Sequence, residues 1–314
     1  MSTSTGKTAA IKKAIAAGRR EAKIALARRD AVPLRRAAKL KGIREPVSMQ
    51  IKSASFAGTI TAAYSGILVA EGDSWFDYPF HDVLKDLEDD YGYEVESVAH
   101  KGDSVEEMAY SGGQLDELTR RIEKVIKRGH VPKAILLSGG GNDVAGDAFG
   151  MLLNHAKSSI AGFNNSILNG VIDERIFTAY ITILSAVNAI CKQQLQREVP
   201  IIVHGYDYPV PDGRGFMGGW GFLPGPWLEP GFREKGFEPM KQRLNMAVTL
   251  IDRFNEMIKR VVQLDAFKNI HYIDLRNTLS SGVNYEDWWA NEMHPTKQGF
   301  AAVTAKFAKL INQL

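Results

Sequence analysis

The stretch that decides the fold is ILVAEGDSWFDYP, residues 67–79. Its first four apolar residues predict a buried strand, and Gly72 and Asp73 then predict a turn. Ser74 and a pair of aromatic residues follow directly. A small nucleophilic side chain at the end of a strand is either a turn residue or part of a catalytic site, and the other strand ends decide between the two.

Short apolar runs alternate with long helical patterns from about residue 65 onward. The apolar runs lie at 67–70, 95–99, 134–137, 201–204 and 270–275. The helical patterns lie at 81–90, 105–127, 173–197, 239–264 and 295–314. Strands separated by helices of crossover length predict a mostly parallel sheet that is covered on both faces. Functional residues in such sheets gather at the carboxyl ends of the strands.

The charge divides the chain into a basic arm and a mildly acidic body. The net charge is +3, but residues 1–50 alone hold 13 Lys or Arg against 3 Asp or Glu. This segment is rich in helix-forming residues, and Pro33 predicts a break in it. We therefore predict a helical extension over residues 1–65 and an α/β domain over 66–314. Residues 1–50 are a candidate contact for nucleic acid, an anionic membrane or a second copy of the chain, and a solvated or oligomerising extension is the simpler interpretation.

Cysteine usage and hydropathy indicate the compartment. Cys191 is the single cysteine of the chain, so no intrachain disulfide forms. The N-terminus lacks the apolar core of a secretory signal, and no apolar run reaches membrane length. We expect a cytoplasmic protein, with non-classical export left open. The histidines are scattered without the spacing of metal ligands, so we predict neither a metal nor an organic cofactor.

Chemistry-bearing residues follow three of the predicted strands and precede the last helix. Ser74 follows the first strand, Gly102 the second and Asn142 the third, and His294 stands before the final helical pattern. A serine hydroxyl needs a base near neutral pH, and histidine is the natural one. Attack on an ester carbonyl creates an oxyanion, for which the N–H groups of Ser74 and Gly102 and the Asn142 amide would be donors.

This ordered set resembles the SGNH/GDSL hydrolase superfamily: GDSW at 72–75, the lone Gly102, GGND at 140–143, and the late His294. The resemblance covers about residues 66–314. It implies a three-layer α/β/α sandwich of flavodoxin-like type, with a mostly parallel five-stranded sheet. It also implies that Ser74 is the nucleophile and His294 the base, with an oxyanion hole of Ser74, Gly102 and Asn142. The implied activity is cleavage of carboxylic esters through an acyl-enzyme, as in esterases, lipases or glycan deacetylases.

One position departs from that family, which usually has an aspartate three residues before the histidine. Here the position is Asn291, whose amide oxygen accepts an imidazole N–H but does not neutralise imidazolium. We predict Asp287 as the acid that orients His294, so that Asp287→Ala would lower kcat about tenfold or more. The alternatives are Asn291 as a neutral orienter, and Glu292 or an acid distant in the sequence.

Residues 208–237 form an insertion rich in Gly, Pro and aromatic residues. We interpret it as a substrate-covering flap or cleft wall, and the alternative is a structural insertion with its own small core. The candidate substrate-binding residues are Trp75, His204, Asp207, Trp220 and Trp227. The alternative for Trp75 is that it anchors its loop in the core. The alternative for His204 and Asp207 is that they brace the loop in which they lie. The expected substrate is a small-molecule, lipid or glycan ester.

Two other functions stay open at this level. The first is a hydrolase-like protein that binds a glycan or lipid without turning it over, and Asn291 is its best support. The second gives the main role to the basic arm, which would tether the chain to nucleic acid or an anionic membrane.

Overall fold

The computed structural model describes residues 4–40, 65–111, 113–218 and 223–314, with side chains of the first helix described over 6–27. The strands are β1 (Gly66–Glu71), β2 (Tyr93–Ser97), β3 (Ala134–Leu137), β4 (Leu153–Asn154), β5 (Gly162–Phe163), β6 (Ile201–His204) and β7 (Ile270–Ile273). The helices are α1 (Ser4–Leu40), α2 (Val83–Asp89), α3 (Val105–Tyr110), α4 (Gln114–Lys127), α5 (Asn165–Leu168), α6 (Phe177–Leu195), α7 (Glu229–Glu234), α8 (Met240–Val262) and α9 (Lys297–Ile311).

The described strands form a five-stranded parallel sheet and a separate antiparallel ribbon of β4 and β5. The order in the sheet is β2-β1-β3-β6-β7. Numbered within the sheet alone, this is the 2-1-3-4-5 order of flavodoxin-like folds, so the expected fold class is confirmed. The pairing of Glu71 with Leu137 aligns the ends of β1 and β3. The residues that follow these two strands therefore meet at one edge of the sheet.

Helices cover both faces of the sheet, and this explains the apolar character of its central strands. Helices α2 and α9 pack against each other, while α3, α4 and α8 each pack against α6. Every residue of β3 and β6 is buried. Because both faces are covered, these strands read as continuous apolar runs rather than as alternating patterns.

Helix α1 belongs to the fold along its described side chains. It packs against α6, where Ala14, Ala22 and Leu26 are buried. Gly18 lets the two helices approach closely, because a Cβ atom there would lie 2.2 Å from the Thr182 carbonyl oxygen. The expectation of a solvated arm is therefore wrong for the side of α1 that packs on α6, while most other side chains of residues 6–27 are exposed.

The expected helix break at Pro33 is also wrong, because α1 continues to Leu40. A proline removes one backbone hydrogen bond, and here that loss does not end the helix. The boundary at residue 65 stays a prediction, since residues 41–64 lie outside the described part of the chain. The stretch Asn165–Leu195 has the length and hydropathy of a membrane span, but 67% of its apolar window is buried, as in a core helix.

Candidate active site

Ser74 lies in the tight turn that follows β1. The Asp73 carbonyl accepts hydrogen bonds from the Phe76 and Asp77 N–H groups, which starts a helical turn at the serine. The Asp73 carboxylate is buried and accepts from the Trp75 N–H at 3.0 Å. It also accepts from Ser138 Oγ, at 2.8 Å, and from the Tyr206 hydroxyl. Asp73 therefore braces the turn that carries the nucleophile.

Ser74 and His294 meet across 220 residues of sequence. Ser74 Oγ and His294 Nε2 are 2.7 Å apart, within hydrogen-bond distance. Both residues are buried, with 9% and 5% of their surfaces exposed. This is the spacing that a serine nucleophile and its base require.

Asn291 holds the other side of the imidazole ring. Its Oδ1 lies 2.9 Å from His294 Nδ1 and also accepts the backbone N–H groups of Met293, at 3.0 Å, and His294, at 2.9 Å. Its Nδ2 donates to the Tyr78 hydroxyl at 3.0 Å. Because two backbone donors must face an acceptor, the amide orientation is fixed. His294 Nδ1 therefore carries the proton, and Nε2 presents its lone pair to Ser74.

The prediction of Asp287 as the orienting acid is wrong. Asp287 is exposed, and its backbone carbonyl, rather than its carboxylate, accepts a hydrogen bond from Thr296. The turn at Tyr285–Asp287 ends well before the histidine, and Asn291 already occupies Nδ1. The alternative of a neutral orienter describes the observed contact.

Glu292 has a different task. Its buried carboxylate accepts four backbone N–H groups, from Gly213, Trp227, Leu228 and Glu229, at 2.6–3.0 Å. Burial raises the pKa of Glu292, and the four N–H donors oppose that shift. This carboxylate therefore fastens the 208–237 insertion to the loop that carries His294.

The surroundings of His294 are apolar and disfavour its charged form. The Tyr78 ring stacks on the imidazole with centroids 4.2 Å apart and an angle of 19°, and Trp227 contacts it edge-on at 5.3 Å. Burial lowers the pKa of His294 to about 3. The imidazole is therefore neutral near pH 7, the form in which it can accept a proton.

The predicted oxyanion donors line the same cavity as the Ser–His pair. Gly102 has a φ of +93°, a conformation that favours glycine, and no atom lies within 4 Å of where its Cβ would stand. Asn142 Nδ2 donates to the Asp103 carbonyl at 2.9 Å, which fixes its amide. Asp143, whose pKa is raised to about 6 by burial, accepts the Val105 N–H at 2.9 Å and ties the Gly102 and Asn142 loops together.

The cavity above Ser74 has a volume of about 370 Å³. Its walls are mainly apolar and come from the nucleophile loop and the insertion: Tyr78, Pro79, Phe216, Leu223, Pro224 and Trp227. Trp227 thus lies where the sequence places it. Trp220 falls outside the described residues. Tyr78 both lines this cavity and stacks on His294, and it was not among the predicted site residues. Its only signal in the sequence is its position four residues after Ser74.

Three of the predicted substrate-binding residues are interior instead. Trp75 is 2% exposed, and its indole N–H donates to the Met293 carbonyl. His204 is fully buried between Ser138 Oγ and the Gly205 carbonyl, and burial lowers its pKa. Asp207 accepts the N–H groups of Tyr208 and residues 277–279. The substrate-contact interpretation is wrong for all three, and their bracing alternatives are what the structure shows.

Comparisons with known proteins find similar solved structures, esterases among them. No protein-family model matches this sequence, and no curated protein does. A carbohydrate esterase family 3 structure from Talaromyces cellulolyticus is similar, with 12% identity, 79% of this chain and 99% of that chain covered, and a TM-score of 0.42. An acetyl xylan esterase from Geobacillus stearothermophilus has 13% identity, coverages of 79% and 95%, and a TM-score of 0.41.

A third similar structure is LAE5, an alpha/beta hydrolase enzyme from the metagenome of Lake Arreo, Spain. It has 14% identity, coverages of 80% and 96%, and a TM-score of 0.41. At these identities and TM-scores, the function has to be argued from the geometry of the site itself.

Proposed function

We propose that this protein is a serine hydrolase that cleaves carboxylic esters through an acyl-enzyme. The observation that carries the proposal is the 2.7 Å contact between Ser74 Oγ and His294 Nε2, with the imidazole tautomer fixed by Asn291. A turn serine has no need of a buried neutral imidazole that presents a lone pair to its hydroxyl.

The first half-reaction forms the acyl-enzyme. His294 Nε2 takes the proton of the Ser74 hydroxyl as Oγ attacks the ester carbonyl carbon. The carbonyl oxygen gains the negative charge and lies against the donors of Ser74, Gly102 and Asn142. When the tetrahedral intermediate collapses, His294 gives its proton to the departing alcohol oxygen, and the acyl group stays on Oγ.

The second half-reaction returns the enzyme. A water molecule gives a proton to His294 Nε2 and attacks the acyl carbon, and the same three donors hold the new oxyanion. Oγ leaves as it regains the proton from His294, and the carboxylic acid departs. Each proton that enters the imidazole leaves it again, so Asn291 needs only to hold Nδ1–H throughout.

The decisive test is reaction of Ser74 with an alkyl fluorophosphonate, together with turnover of short nitrophenyl esters. We expect one covalent adduct, located at Ser74 by mass spectrometry and absent in Ser74→Ala. A folded protein that neither labels nor turns over esters would support the non-catalytic binding protein and end the esterase proposal. The control for labelling and turnover is Glu286→Gln, which changes an exposed carboxylate and should leave both unchanged. Asp207→Asn would be unsuitable as a control, because the Asp207 carboxylate braces a loop.

The basic helix supports a second, separate proposal about partners. Residues on the outer side of α1 are exposed and cationic, among them Lys12, Lys13, Arg20 and Lys23. We propose that this side contacts an anionic surface, and reversal of Lys12, Lys13 and Arg20 to Glu should then abolish salt-sensitive binding to anionic vesicles or DNA. Unchanged binding would remove the proposal. Self-association through the extension and a cytoplasmic location stay predictions.

A further inference from the structure

A second cavity of about 230 Å³ adjoins the cavity above Ser74. The two share Tyr78, Pro79 and Phe216 as a common wall. Within that wall the Tyr78 and Phe216 rings meet edge to face, with centroids 5.8 Å apart. The buried Phe300 is among the residues that line the second cavity. The two cavities therefore adjoin at an aromatic wall, and they are called the groove below.

Two exposed apolar side chains line the far part of this groove. Phe80 is 76% exposed and Met217 is 70% exposed, and they come from different loops, the nucleophile loop and the insertion. Large apolar side chains on the surface are common singly, but here two lie at the same cavity beside the proposed nucleophile.

The backbone at both residues is in a conformation that side chains rarely adopt. Phe80 has a φ of +76° at the centre of a three-residue turn, closed by the hydrogen bond from the His81 N–H to the Pro79 carbonyl at 3.1 Å. Met217 has φ 47° and ψ 37°, in the left-handed region. Such positions usually hold Gly, Asn or Asp, and a strained residue at a cleft points to a role in binding.

We propose that the groove binds an extended apolar chain of the substrate, so that the ester this protein cleaves is a medium- or long-chain one. The chain leaves the reacting carbon, passes the aromatic wall of Tyr78 and Phe216, and ends against Phe80 and Met217. This inference rests on the proposed esterase function and adds its substrate class. Tyr78 links the two parts, because it contacts the chain and stacks on His294.

The test compares acetyl, butyryl, octanoyl and dodecanoyl nitrophenyl esters, all kept below their aggregation concentrations. We expect kcat/KM to rise from acetyl to octanoyl by about fourfold for each methylene that the groove removes fully from water. The double variant Phe80→Asn, Met217→Asn keeps residues that tolerate positive φ and removes the apolar contacts. It should lose about tenfold on the octanoyl ester and less than about twofold on the acetyl ester.

Val283→Asn is the matched control, because Val283 is fully exposed and lies outside both cavities. Acetate esters of short and long alcohols form the second arm. If kcat/KM depends on chain length only among these acetate esters, the groove binds the alcohol part of the ester, and the proposal still stands. A flat length profile in both series, or one that the double variant leaves unchanged, overturns the proposal.

A binding measurement separates this inference from the esterase proposal. In the Ser74→Ala protein, nitrophenyl octanoate should bind at least about tenfold more tightly than nitrophenyl acetate, and the double variant should remove that difference. If the wild-type protein fails to react with fluorophosphonate while this preference persists, the groove stands and the esterase proposal falls. If short esters turn over and the preference is absent, the groove falls alone.

Discussion

Asn291→Asp should give the Ser74–His294 pair, which Asn291 orients without charge, a full charge partner. In the wild-type protein Oδ1 lies 2.9 Å from Nδ1, and burial holds the His294 pKa at about 3. A carboxylate at this distance raises the pKa of a basic group by about 1–3 units, to about 4–6 here. Each unit corresponds to about 1.36 kcal/mol of added preference for imidazolium, or a factor of about ten.

The change should fit without loss of a hydrogen bond. The two backbone N–H groups that now face Oδ1 are equally good donors to a carboxylate oxygen. The Tyr78 hydroxyl, which now accepts from Nδ2, can turn and donate to the second oxygen, because burial raises its pKa to about 12 and it stays protonated. These donors keep the introduced carboxylate ionised in its buried position.

The assay is the second-order rate of fluorophosphonate inactivation, with kcat/KM for a nitrophenyl ester measured across pH. We expect both rates at pH 7 to rise by about tenfold or more, because imidazolium develops in the transition state and each unit of its added pKa corresponds to about a factor of ten. The wild-type kcat/KM should stay level down to about pH 4, and the variant's acid limb should move to higher pH. Val283→Asp places the same charge on a fully exposed residue outside both cavities and should change neither rate by more than about twofold. Rates unchanged in a folded Asn291→Asp protein would refute the reasoning.

Three further changes probe the supports of the site. Asp287→Ala should leave kcat within about twofold, because the Asp287 side chain is exposed; a tenfold loss in steady-state assays would restore it as the acid. Glu292→Gln sets an NH₂ group against two backbone N–H donors, so urea titration should show a loss of stability of about 2–4 kcal/mol. Ester assays should also show a lower kcat/KM, because Trp227 loses its hydrogen bond to residue 292. Burial raises the pKa of Glu71 to about 9. Because the unfolded chain ionises this carboxyl near pH 4.5, the wild-type free energy of unfolding should fall as pH rises from about 4.5 to 9. Glu71→Gln should therefore raise the urea midpoint more at pH 8 than at pH 5.

The architecture was predictable because its signals are local and regular. The apolar runs that precede Ser74, Gly102 and Asn142 identify three neighbouring strands, and parallel strands bring their carboxyl ends to one edge. The roles proposed for these residues therefore follow from topology, together with the late position of His294. The insertion at 208–237 was also predicted as a cavity wall, to which Trp227 contributes.

The identity of the orienting group was not predictable in the same way. Charge favoured Asp287 over Asn291, but the contact depends on how a short loop turns back on itself. The Trp289–Pro295 bridge and the bond from the Ala290 N–H to the His294 carbonyl close that loop and bring residue 291 beneath the ring. Spacing alone does not reveal such a closure. The prediction that His204 and Asp207 contact substrate was wrong for a related reason. Residues at the ends of buried strands brace the interior as well as line cavities.

An asparagine can serve beside the histidine because the tasks of an orienting residue are separable. In the serine proteases, replacing the aspartate by asparagine favours the wrong tautomer, since the amide presents its NH₂ group to the ring. Here the backbone N–H groups of Met293 and His294 prevent that rotation, and the Tyr78 hydroxyl accepts from the NH₂ group. Orientation and tautomer are thus preserved, while the charge support for imidazolium is given up. The hydrogen bonds of the loop keep the orientation and tautomer that acyl transfer requires, so Asn291 fits a hydrolase without charge support at Nδ1 and is not by itself an argument for a binding protein.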